Sequence, residues 1–277
     1  MDRVAHVLRV GVHIVHAVVY AASVDERTAG SQAVDRALSI LELFDDRTPE
    51  LGIGEVAERL RVHRSTASRL LAALERRGLV EQDRATLRYR LGLGLVSLAG
   101  LVLNRFPVRA RAHDVLRKLR DETGETAYLG LLDGRGVIYI DQASSPHVTV
   151  NSDWVGYRQP LTAGATGRVL LAYQERTVIE QTLAAARTRA PQADDPPGEL
   201  ELAAIRRQGY LLRSANGTHG GCGVAAPIRD HRGEVVAALS VWGPSSRISD
   251  ERLTNEILPA VLRAAAWVSE ALGYRVA

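Results

Sequence analysis

Apolar residues recur at helical spacing through the first third of the chain, and alternation every second residue becomes common only later. Val34, Leu38 and Leu41, widened by Ile40 and Phe44, predict a helix over 32–44. Asp45, Asp46 and Thr48-Pro49 stop it, because a residue before proline avoids helical backbone. Ile53, Val56, Ala57 and Leu60 predict a short helix over 53–60, Arg61-Val62-His63 a tight break, and Ala67, Leu70, Leu71 and Leu74 a third helix over 64–77. Gly78 then suits a left-handed cap. Leu79-Val80 and Leu87–Leu91 flank a polar turn from Gln82 to Thr86 and predict a β-hairpin. Three helices and a hairpin form the layout of a winged helix-turn-helix.

Residues 93–105 are apolar enough for a helix crossing between domains. Pro107 ends it, and a helix with Arg109, Arg111, Arg117, Lys118 and Arg120 outward follows up to Gly124. TAYLGLL and GVIYIDQA read as strands joined by a turn at 133–136. Helices near 165–173, 175–186 and 199–208 alternate with strands near 209–213, 222–229 and 234–242. A proline-rich loop covers 188–198, and a last helix covers 250–272. Without a strict βαβ rhythm this predicts an α+β domain on a mostly antiparallel sheet. The expected division is an extension (1–30), a winged helix-turn-helix (31–91), a linker helix (92–107) and a second domain (108–277).

The chemistry concentrates in 53–77. Ala57 is the small residue that lets two helices approach, and His63, Arg64, Ser65, Thr66, Ser68 and Arg69 form the polar start of the third helix, the part that meets base edges and phosphates. Five arginines stand against one glutamate in 61–77. Ser65 and Thr66 can donate to phosphate. Arg64 and Arg69 can reach guanine bidentately, worth about 1–3 kcal/mol of discrimination. Arg84, Arg88 and Arg90 in the hairpin are placed for flanking phosphate or minor groove. Arg76 and Arg77 in the last turn offset the helix dipole. A basic helix that docks on a partner protein is the alternative, and steep salt dependence separates the two.

Composition sharpens this only slightly. The 277 residues carry a net charge of +3, and every basic residue except Lys118 is arginine, suited to phosphate and guanine. One cysteine, Cys222, excludes an internal disulfide and a thiolate-rich zinc site and fits a reducing cytoplasm. Residues 4–22 are apolar, but His6, Arg9, His13 and His16 interrupt them, which argues against an export or membrane segment. The sequence lacks GxSxG, HExxH and a glycine-lysine phosphate loop, and Gly217, Gly220, Gly221 and Gly223 lack nucleotide-loop spacing. An enzyme built on Cys222 with His219 is the second alternative, although a pair three apart on a loop is poor ground for a nucleophile and base. No cofactor or metal is expected.

These blocks together resemble the IclR family of transcription regulators: QAVDRALSILELF, IGEVAERLRVHRSTASRLLAALERRGLV and RYRLG, then TGETAYL, PLTAGATGRVLLA, GVAAPIRD and GEVVAALSVWGPSSRIS. The resemblance runs from about Ser31 to the C-terminus. It implies a GAF-like effector-binding domain, a homodimer or homotetramer on double-stranded promoter DNA, and a small organic acid or aromatic effector. The matching effector positions are Ala165, Thr166, Arg213 or Ser214, Gly223, Ser240 and Trp242. Backbone N–H groups of AGATG, opening a helix, suit a carboxylate. Trp242 where a small or polar residue is expected, and Gly223 with no side chain, shift the expectation toward an aromatic or apolar ligand.

Overall fold

The computed structural model describes residues 29–45, 47–134, 136–147, 153–188, 196–214 and 221–275. The expectations for 1–28, and for His219, Gly217 and Gly220, lie outside these residues. The described chain divides between Arg105 and Phe106 into two compact units.

The first unit holds α1 (Ala29–Leu41), α2 (Ile53–Arg59), α3 (Arg64–Glu75), β1 (Val80–Gln82), β2 (Tyr89–Leu91) and α4 (Gly94–Leu103). Its core is Ile40, Leu51, Val56, Ala57, Ala67, Leu71, Leu74, Val80 and Tyr89. These are largely the apolar stripe positions, because each helix buries one face against the other two. β1 and β2 pair antiparallel, and Leu51 exchanges backbone hydrogen bonds with Tyr89, so the segment before α2 adds a third rung to the wing. Leu41 ends α1 three residues earlier than its pattern suggests. Asp45 folds back on itself there, its carboxylate accepting from Arg47 N, Thr48 N and the Thr48 hydroxyl.

The second unit begins with α5 (Pro107–Thr123), closed by Gly124 at φ +69. It continues through β3 (Thr126–Asp133), β4 (Gly136–Ala143), β5 (Arg158–Pro160), α6 (Gly164–Ala172), α7 (Arg176–Arg187), α8 (Glu199–Gln208), β6 (Leu211–Arg213), β7 (Gly221–Arg229) and β8 (Val235–Pro244). A short helix α9 (Asp250–Arg252), a π turn (Leu253–Ile257) and α10 (Leu258–Ala271) complete it. The strands form one six-stranded sheet in the order β5-β4-β3-β8-β7-β6, antiparallel at every step. β5 has no apolar alternation, and its pattern did not announce it as a strand.

Side chains alternate across a sheet, so each face collects every second residue. One face carries Leu129, Leu239 and Val241 and is covered by α5 and α10. The other carries Tyr128, Ser240 and Ala238 and is covered by α6 and α8, with Val169, Leu171, Leu202 and Ile205 sealing the layer. On the first face Glu125, with only 2% of its side chain exposed, is gripped by Arg247 (2.6 Å) and Arg252 (3.3 Å). Arg252 also donates to the carbonyl of Thr123, which ties the end of α5 to the start of the C-terminal helices.

Candidate nucleic-acid interface and effector site

The turn between α2 and α3 is set by backbone geometry. Arg61 takes a left-handed conformation at φ 53, and Val62 N–H donates to Ala57 O at 2.9 Å. Ala57 and Ala67 are both buried, and their small side chains let the helices approach closely. His63 caps α3: its Nδ1 accepts from Ser65 N–H at 3.3 Å and lies 2.8 Å from Ser65 Oγ. An acceptor Nδ1 leaves the ring proton on Nε2. At this reading end His63, Arg64, Ser65 and Arg69 are exposed, while Thr66 and Ser68 are half-buried. Arg69 Nε donates to Ser65 O at 3.4 Å, one turn back along the helix.

The three wing arginines divide. Arg84 is exposed at the hairpin tip, where Asp83 accepts from Ala85 N, Thr86 N and the Thr86 hydroxyl. Arg88 is engaged inside the unit, donating to Glu50 O at 2.9 Å and Glu55 Oε2 at 2.8 Å. Glu55 also accepts from Gly52 N–H at 2.7 Å, the half of a capping box that a glycine N-cap allows. The Gly52 N–H and then the Arg88 guanidinium hold the Glu55 carboxyl below its ordinary range. Arg90 pairs with Glu81 across the hairpin at 2.5 Å. Glu55 was missed from sequence, although a glutamate three residues after a helix start is a capping signal that could have found it.

In the second unit, strand register gathers most of the predicted effector residues. Arg213, Gly223, Trp242 and Thr126 lie in one row across β6, β7, β8 and β3. Ser240 and Tyr128 stand in the next row on the same face. Gly223 is bare for a reason. A Cβ there would sit 2.7 Å from Val241 O, and one on Gly221 would sit 2.3 Å from the Trp242 ring, so the indole lies across a glycine strip. Ser214 follows β6, and Ala165 packs half-buried against the same layer.

Thr166 is buried in the first turn of α6, and its hydroxyl donates to Ser240 Oγ at 2.9 Å. Gly130 makes this possible, since a Cβ there would fall 2.7 Å from Thr166 Cγ2. Tyr139 extends the network: its hydroxyl donates to Gln159 Oε1 at 3.0 Å, and burial pushes that phenol up to about 12, with a hydrogen bond to Thr166 pulling it back. Burial also pushes Tyr157 up to about 12 and raises Tyr128. These phenols are therefore neutral at physiological pH. Beside them Trp154 meets Tyr128, Tyr139 and Tyr157 at ring-centroid distances of 6.0, 5.6 and 4.7 Å, tilted toward edge-to-face. The aromatic group and Gln159 were not foreseen. Four aromatics within 128–157, out of thirteen in the chain, were the available signal.

Cys222 is buried, its thiol pushed up to about 11 mainly by desolvation, which disfavours the reactive thiolate. A cleft of about 300 Å³ lies away from the row of predicted residues, lined by Glu122, Thr123, Asn255, Glu256, Pro259 and Arg263. No described helix is long and apolar enough to cross a membrane.

A capped, cation-bearing helix on a winged core, followed by an antiparallel sheet with a hydroxyl- and aromatic-lined face, defines a helix-turn-helix transcription regulator with an effector-binding domain. The comparisons with known proteins agree. The profile for the IclR helix-turn-helix domain matches residues 33–84, and that for the C-terminal domain of bacterial transcriptional regulator IclR matches 100–270. The chain belongs to the IclR family. It is 34% identical over 247 residues to the HTH-type transcriptional regulator XynR of Escherichia coli, covering 88% of this chain and 98% of that one. It is 36% identical to BhcR of Paracoccus denitrificans, covering 87% of each. The crystal structure of the Thermotoga maritima IclR superposes with a TM-score of 0.71 at 27% identity, over 87% of this chain and 98% of that one.

Proposed function

We propose that α3 reads double-stranded promoter DNA through His63, Arg64, Ser65, Thr66, Ser68 and Arg69, with Arg84 on flanking phosphate. The observation that carries this is the division of α3, with Ala67, Leu71 and Leu74 sealed in the core and the cations of its first turns in solvent. Arg90 joins the phosphate contacts by exchanging Glu81 for the duplex. Arg88 acts at one remove, bracing the wing against α2.

The effector is a small aromatic or organic acid held over Ser240, Thr166, Ala165 and Trp242, with Arg213, Ser214 and Gly223 at the β6–β7 end. Neutral phenols and stacked rings favour the aromatic class. The chain works as a homodimer or homotetramer in the cytoplasm, by binding alone, without cofactor or catalysis. Two copies meet along α4, apolar except for Ser97, which leaves Val96 65% and Leu101 69% exposed. The working division remains 31–91, 92–107 and 108–277.

The test is anisotropy against the DNA upstream of its own coding sequence over a salt series, joined to a thermal-shift screen of aromatic acids. Steep loss of affinity with salt and a ligand-raised melting temperature are expected. Retention of ligand response in Trp242→Ala would move the pocket elsewhere, and a flat salt response would return α3 to a protein partner.

A further inference from the structure

Backbone hydrogen bonds join the end of the recognition helix to the start of α4. Gly78 ends α3 at φ +68, and its carbonyl accepts Gly94 N–H at 2.9 Å, while Gly92 N–H donates to Leu79 O at 2.9 Å. Gly78 itself is held by its N–H on Glu75 O (2.8 Å) and by Leu79 N–H on Leu74 O (3.0 Å), so it moves with α3. Neither linker glycine has room for a side chain. A Cβ on Gly92 would lie 2.3 Å from Gly78 O, and one on Gly94 would lie 2.7 Å from Gly78 O and 3.1 Å from Arg77 O. The obstructing atoms are backbone, so no rotamer change relieves them. Gly100, on the same helix, meets nothing within 4 Å. Since α4 fully buries none of its ten residues, side-chain packing holds its direction only weakly. The backbone contacts at Gly78 hold its first turn.

We propose that Gly92 and Gly94 are positioning residues for DNA reading, because the joint they form with Gly78 sets the angle between α4 and α3. This rests on the reading of α3 as the DNA-reading helix and of α4 as the seam between copies. Under that reading, the joint fixes how two recognition helices are presented to one duplex, and hence which base edges they meet. A side chain at the joint levers α4 away from Gly78. α3 then keeps its arginines near phosphates but loses its alignment with the bases.

The test uses the full chain as wild type, Gly92→Ala, Gly94→Ala and the control Gly100→Ala. Anisotropy gives affinity for the promoter fragment and for a non-cognate duplex of equal length, with melting curves on the same preparations. Preference for the promoter should fall about tenfold or more in both joint variants, with non-cognate affinity within about threefold of wild type. Gly100→Ala should match wild type. Equal loss of both affinities would make the glycines merely structural, since unfolded molecules bind neither duplex, and unchanged preference would also overturn the joint. Gly94→Ala, the smaller intrusion, decides if Gly92→Ala does not fold, and failure of both to fold counts against a positioning role. A wild type without promoter preference sinks the reading of α3 and the joint with it, whereas preference kept by both variants sinks the joint alone.

Discussion

Replacing Thr166 by valine keeps the shape of the side chain and deletes its hydroxyl. The donor to Ser240 Oγ disappears, and both residues are buried, so water does not replace it. A hydrogen bond of this kind contributes about 1 kcal/mol net, and a buried hydroxyl left unpartnered costs about 1–3 kcal/mol. The single variant should therefore lose about 2 kcal/mol. For a unit of this size that is a fall of about 4–8 °C in melting temperature. Ser240→Ala added to Thr166→Val removes the group orphaned on Ser240, while Tyr139 loses Thr166 and keeps Gln159, so the double variant should regain about 1 kcal/mol over the single. Equilibrium unfolding of the four proteins closes the cycle. A loss below about 0.5 kcal/mol in the single variant, or simple additivity in the double, would refute the view that the two hydroxyls act as one buried unit.

Arg64→Ala and Arg69→Ala should each weaken promoter binding by about tenfold to a hundredfold while the melting temperature stays put, as titrations and melts on one sample can verify. Arg88→Ala should instead loosen the wing and destabilise the first unit. Because the folded Glu55 carboxyl sits below its ordinary 4.5, its stabilisation is full above that value and is lost as pH falls through the lower folded value. Acid unfolding of Arg88→Ala should show less of this dependence, and an unchanged acid profile would remove the brace. Cys222, with its thiol near 11 and buried, should resist iodoacetamide at pH 8 until denaturant is added, which mass spectrometry reads directly.

The helices were legible because each pattern is local. Apolar stripes fixed α2 and α3 to within two residues, and Gly78 announced a left-handed cap that the backbone indeed adopts. The hairpin followed from a polar turn between alternating segments. What sequence could not reach was register. Nothing near Trp242 says that Gly221 and Gly223 lie beneath its ring, since that pairing belongs to a neighbouring strand some twenty residues away. The Gln159–Tyr139–Thr166–Ser240 network likewise draws on four separate elements. Arg88 and Arg90 looked like free cations because a carboxylate partner reached through folding is invisible in a linear pattern. The π turn at Leu253–Ile257 left no sign in the apolar periodicity read as one long helix.

The border strands β5 and β6 are three residues each. Such stubs expose too few unpaired amide and carbonyl groups for a foreign strand to zip onto. The sheet is thus poorly suited to growth at its margins, which guards against fibrous aggregation. Side-chain surfaces on helices are therefore better suited to carry assembly than extension of the ladder.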